Sequence, residues 1–118
     1  MSTKVIFYSD GKIELCKSIR FTSSDNIEIK VPKGFVCDGA SIPRAFWHVV
    51  GHPFGAYLRQ AIIHDFLYRT QPCSRKVADR IFDEALAQNI QVGRLTRFAL
   101  YRGVRLFGIF AWRNNQHR

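Results

Sequence analysis

The chain is 118 residues long, 47% hydrophobic and 23% charged, the size and composition of one folded domain rather than a disordered segment. Its longest stretch without a polar side chain, Leu106–Trp112, falls far short of the about 20 residues a membrane-spanning helix needs. The formal net charge of +9 points toward a polyanionic partner, either nucleic acid or an anionic lipid surface.

The expected organisation is a single α+β domain over residues 1–118: a small N-terminal antiparallel β-sheet within residues 1–37, a structured loop over 38–56, three helices over 57–112 and a basic tail, 113–118. The apolar stretch before Asp10 is too short for a signal-peptide core. β-Branched and aromatic runs predict strands at Lys4–Ser9, Ile13–Arg20, Ile27–Val31 and Phe35–Cys37. Asp10-Gly11 marks a hairpin turn, and Ser23–Asn26 and Pro32–Gly34 mark two more. Residues 38–55 carry Gly39, Pro43, Gly51, Pro53 and Gly55, the pattern of a loop with one helical turn at Arg44–Val50.

The apolar period then changes to 3.6. Leu58, Ala61, Ile62 and Phe66 predict a helix over Tyr57–Arg69, and Thr70-Gln71-Pro72-Cys73 ends it. Ser74 is an N-cap for a second helix running to about Asn89, with Val77, Ala78, Ile81, Phe82, Ala85 and Leu86 facing inward. A third helix opens near Gly93 and runs to about Trp112.

The chemistry-bearing cluster lies on the first helical hairpin. His64 and Tyr68 are four residues apart and share a face, and Asp65 lies on the neighbouring one. His64 precedes the turn at 70–73 by about six residues and Asp79 follows it by about seven, so an antiparallel hairpin sets them at nearly equal height. Asp79 can then accept from one nitrogen of His64 while the other faces a cleft, the base-and-orienter pairing of general-base catalysis. Tyr68 can donate its hydroxyl to Asp79, and Asp65 is left to meet a metal ion or a cationic partner. The structural alternatives are a core histidine at His64 and an Arg75–Asp79 pair within one helix. Asp38 and Gly39 sit in a Gly/Ala/Ser loop able to hold a hard cation or an oxyanion, or simply to connect a strand to a helix. His48 and His52 are four apart, but Gly51 and Pro53 argue against the helix that a zinc pair needs. Cys16, Cys37 and Cys73 form no C-x-x-C and fit a reducing compartment.

Several of these segments together resemble the domain-of-unknown-function family 1353, which occurs widely in tailed bacteriophages and prophages. They are Val31–Phe35, Asp38–Arg44 with Trp47, His64–Tyr68, Ser74-Arg75, Ala78–Phe82 and Tyr101 with Val104–Gly108. Cys37 and Gly39 depart from the threonine and the bulky residue usual there. That resemblance implies a phage protein working in the bacterial host cytoplasm or in the virion. More distantly, His64-Asp65 with Tyr68 on one helix and Ala78-Asp79 with Phe82 on the next is similar to the core of phospholipase A2 enzymes. This second likeness implies calcium-assisted hydrolysis of a lipid ester. In it His64 activates water, Asp79 orients His64 and Tyr68 braces Asp79. Calcium is held by Asp65 with the Val36–Ser41 loop, including Asp38 and Gly39.

Charge is uneven: residues 85–118 hold six arginines and no acid. Arg94, Arg97, Arg102 and Arg105 are therefore candidate anion-binding residues, suited to anionic lipid or, less readily, to nucleic acid. A non-catalytic virion component or a host-directed binding protein is the alternative to a hydrolase. Tyr101, Phe107, Phe110 and Trp112 exceed what a small sheet covers, so self-association or docking on a phage or host protein is also expected.

Overall fold

The computed structural model describes residues 4–9, 12–38, 58–89 and 92–116. The expected Asp10-Gly11 turn, most of the 38–56 loop with Gly39, His48 and His52, and the last two residues lie outside the described residues. The layout is α+β, with strands first and helices after.

Strands β1 (Val5–Phe7), β2 (Lys12–Leu15) and β5 (Val36–Asp38) form one antiparallel sheet with β2 in the middle, Ile13 opposite both Phe7 and Cys37. β3 (Ile19–Thr22) and β4 (Glu28–Val31) form a separate hairpin. The continuous strand expected over Ile13–Arg20 is thus two strands in two sheets. Ile13, Leu15, Ile19 and Phe21 share one parity and are all buried, so the same parity faces inward on both sides of a bend at Cys16-Lys17. Lys17 holds the inward parity yet is exposed, and there the chain leaves the first sheet. In the β3–β4 turn the Ser23 hydroxyl accepts from the Ile27 amide, and Asn26 takes a left-handed φ of 62°. Gly34, at φ 90°, closes the Pro32–Phe35 turn.

Helices α1 (Leu58–Thr70) and α2 (Arg75–Ala87) form an antiparallel hairpin, and α3 (Arg94–Gln116) packs across both. α1 ends where the Gln71 amide donates to the Leu67 carbonyl, with Gln71 left-handed (φ 48°) and Pro72 following. The Ser74 hydroxyl caps α2 by accepting from the Val77 amide at 3.2 Å. The main core joins Ile13, Leu15, Ile29 and Val31 to Ile62, Ile63, Leu67, Ala78 and Ile81. Phe82, Leu86 and Leu100 form a smaller cluster between α2 and α3. Val77, expected inward, is half-buried. The β3–β4 turn is tied to α2: the Ser24 amide and hydroxyl donate to Glu84, and Asp25 pairs with Arg80. Each anchor fixes the azimuth of α2, which carries the aspartate of the site. Among the described residues, no helix is long and apolar enough to cross a membrane.

Candidate functional site

Three helices aim donors at one carboxylate. α1 presents His64 and Tyr68 one turn apart, α2 presents Arg75 and Asp79, and α3 presents Arg105. The Asp79 side chain is 0% exposed. Its Oδ1 accepts from His64 Nε2 at 2.7 Å and from the Tyr68 hydroxyl at 2.6 Å. Its Oδ2 accepts from Arg105 Nη1 at 2.7 Å and lies 3.5 Å from Arg75 Nη1. Arg75 Nη1 also donates to the Val104 and Arg105 carbonyls, at 3.2 and 3.3 Å.

A carboxylate stripped of water is costly as an ion. Burial alone pushes the Asp79 carboxyl up; hydrogen bonds from His64 and Tyr68, the charge on His64 and the Arg105 hydrogen bond outweigh it and hold the group below the usual carboxylate range. The same surroundings raise the Tyr68 phenol well above its ordinary range, through burial first, then its hydrogen bond to Asp79 and the aspartate charge. Tyr68 therefore keeps its proton and acts as a donor. In its neutral form, His64 facing an ionised Asp79 carries its hydrogen on Nε2, and Nδ1 is then the nitrogen able to accept from a ligand.

The imidazole is held by packing as well as by hydrogen bonds. Its ring lies against Tyr68 at 4.2 Å and Phe82 at 4.7 Å between centroids. Tyr68 in turn stands edge-on to Trp112 at 5.1 Å. The His64 side chain nevertheless remains 14% exposed, while its partner is sealed.

Sequence spacing brings His64, Asp79 and Tyr68 together as expected, and the weak Arg75–Asp79 contact is present beside them. Among the described residues, the other candidates stand apart from this cluster, except Arg105. Asp65 is ion-paired with Arg69 on its own helix, Nε to Oδ2 3.2 Å. Asp38 lends its backbone to β5 opposite Lys12; its side chain and Gly39 lie outside the described residues. Arg94 and Arg102 are exposed, Arg102 lying over the Phe98 ring at 5.9 Å. Arg97 pairs with Asp83 at 2.9 Å, and Arg105 turns inward to Asp79 rather than outward to an external anion.

Arg105 and Gly108 are site residues that the sequence reading did not place there. A methyl group at Gly108 would intrude on the Tyr68 hydroxyl and come within 3.2 Å of Cζ, so the bare glycine lets α3 close over the tyrosine. The available signal was the spacing Tyr101, Arg105, Gly108, Trp112, which sets an arginine and a glycine on one helical face with two large aromatics.

The fold and site thus define an α+β unit whose helical hairpin carries a buried aspartate and a partly exposed histidine. The chain belongs to family DUF1353, described as protein of unknown function, whose profile matches residues 13–104. It is 34% identical over 96 residues to the uncharacterized protein y4jT of Sinorhizobium fredii (strain NBRC 101917 / NGR234), a match covering 80% of this chain and 28% of that protein. The chain therefore spans little more than a quarter of that relative's length. No solved structure matches.

Proposed function

We propose that the chain is a hydrolase in which His64, oriented by Asp79, activates water for attack on an ester, with a lipid ester as substrate. The observation that supports this reading is the polarity of the dyad: Nε2 engaged by a sealed, ionised Asp79, and an imidazole that keeps solvent exposure. In the proposed step Nδ1 takes a proton from water as the oxygen bonds to the ester carbonyl carbon. The Asp79 charge stabilises the imidazolium that forms, and the imidazolium then returns a proton to the departing alkoxide. Tyr68 and Arg105 keep Asp79 anionic and aimed. A phospholipase A2-like core would add calcium near Asp65, Asp38 and Gly39. Among the described residues Arg69 lies 3.2 Å from one Asp65 oxygen, and the Asp38 side chain and Gly39 are outside them, so no step is routed through the ion.

The test is fatty-acid release from phospholipid vesicles, with and without calcium, comparing wild type with His64→Ala. A positioned general base contributes about 10²–10⁴ in rate, so a loss of that order is expected. Equal rates, or no turnover by either protein, would refute the reading.

The second reading is a non-catalytic junction in a phage virion component or host-directed binding protein. It is favoured by the two arginines on Asp79, more positive charge than one orienting aspartate requires. Stoichiometric recovery of the protein in phage particles, together with absent turnover, supports it. The phage or prophage origin, and a location in host cytoplasm or virion, are proposals resting on the motif resemblance. Nucleic-acid binding through Arg94, Arg97, Arg102 and Arg105 has less support, since Arg97 and Arg105 are engaged by Asp83 and Asp79.

A further inference from the structure

α3 has two unlike faces. Leu100, Val104 and Trp112 pack inward, and Arg105 and Gly108 meet the site. On the opposite side Leu95, Phe98, Arg102, Leu106, Phe110 and Arg113 recur at steps of three and four residues, forming one continuous stripe. Its four apolar members are open to solvent: Leu95 86%, Phe98 64%, Leu106 63% and Phe110 66% exposed. Large side chains in an unbroken row at that exposure are a surface awaiting a partner rather than scattered surface apolars.

Charge identifies the partner. Arg102 and Arg113 lie within the stripe, Arg94 stands exposed at its start, and residues 85–118 contain no acid. A second copy of the chain would bring the same arginines and another +9, with nothing on its own stripe to neutralise them. An anionic bilayer offers what the stripe lacks: phosphates for the guanidinium groups and an acyl boundary for Leu and Phe. The Arg102 guanidinium lies over the Phe98 ring and the residue is exposed, so positive charge and apolar surface meet in one patch of the stripe.

We propose that this outer face of α3 docks on an anionic phospholipid membrane, the helix lying in the interface plane. It stands apart from the hydrolytic reading, because it concerns binding and does not involve His64.

The experiment is co-flotation of the full chain with phosphatidylcholine vesicles, with and without phosphatidylglycerol. Wild type is expected to bind the phosphatidylglycerol vesicles at least about tenfold more tightly, and to weaken as salt rises. Leu106→Asp with Phe110→Asp is expected to lower that binding about a hundredfold. Arg102→Gln with Arg113→Gln is expected to lower it about twentyfold and to flatten the salt dependence. All four positions are exposed, so circular dichroism should be unchanged. His64→Ala is expected to bind as wild type does whether or not the protein turns over lipid, which separates the two proposals. Three outcomes overturn this one: equal binding to both vesicle types, no binding to either, or a stable wild-type dimer that the aspartate pair dissolves without altering vesicle binding.

Discussion

Gly108→Ala makes the closeness of α3 to Tyr68 measurable. In an ordinary exposed helix interior this change stabilises by up to about 1 kcal/mol, because alanine loses less backbone entropy. Here the new methyl would run into the Tyr68 hydroxyl and press on Cζ and Cε2 at 3.2 and 3.3 Å. A side-chain end can often swing aside, but Tyr68 is only 3% exposed, stands edge-on to Trp112 and donates to Asp79. Overpacking of this kind costs about 1–3 kcal/mol, so the net expectation is a loss of about 1–2 kcal/mol. Tyr68→Phe alone removes a hydrogen bond to a charged acceptor and costs about 1.5–3 kcal/mol. In the Tyr68→Phe background the hydroxyl in the way is gone. The tight approach to the ring carbons remains, so Gly108→Ala should then become close to neutral, a coupling of about 1–2 kcal/mol between the two sites. Urea unfolding of the four proteins measures every leg of the cycle. A stabilising Gly108→Ala in the wild-type background, or additivity within about 0.5 kcal/mol, would show that the helix is not seated on the tyrosine and refute the reasoning.

Two further perturbations test the scaffold of the site. Because the folded state holds Asp79 below the usual carboxylate range, the unfolded chain binds its proton more readily. That stabilisation is complete above the unfolded carboxylate value of about 4 and is lost as pH falls through the folded value. Asp79→Asn should therefore cost about 3 kcal/mol at neutral pH, by leaving Arg75 and Arg105 without their anion, and should lose less stability than wild type on acidification below about pH 4; parallel urea titrations across pH compare the slopes. Ser74→Ala should cost about 1 kcal/mol in the same assay, since the first turn of α2 contains no acid to share the capping role.

The hairpin pairing of His64 with Asp79 was legible because it needs only rise per residue and a turn at Pro72, both local. Tyr68 followed from the same four-residue spacing. Arg105 was not legible as a partner of Asp79: it arrives from a third helix 26 residues along the chain, and the angle at which one helix crosses another is set by side-chain ridges, not by period. Read on its own helix, it looked like one more surface arginine. The split of Ile13–Arg20 into two strands escaped for the opposite reason, since Ile13, Leu15, Ile19 and Phe21 keep one parity on both sides of the bend. Lys17, a charged side chain in an inward slot, was the mark of it. On α3 the apolar residues surround most of the helix in sequence, and only packing distinguishes buried Leu100 and Trp112 from open Leu106 and Phe110.

The Arg75 guanidinium does more than approach Asp79, for it also grips the Val104 and Arg105 carbonyls in the middle of α3. A helix ordinarily frays inward from its ends. This one is pinned at its centre by a cation from its neighbour, and peeling it away would take Arg105 from the buried carboxylate and Arg75 from two main-chain acceptors together. Amide exchange should accordingly be slowest around residues 104–108 and faster toward both termini of the helix, with its centre opening only when the whole helical layer comes apart.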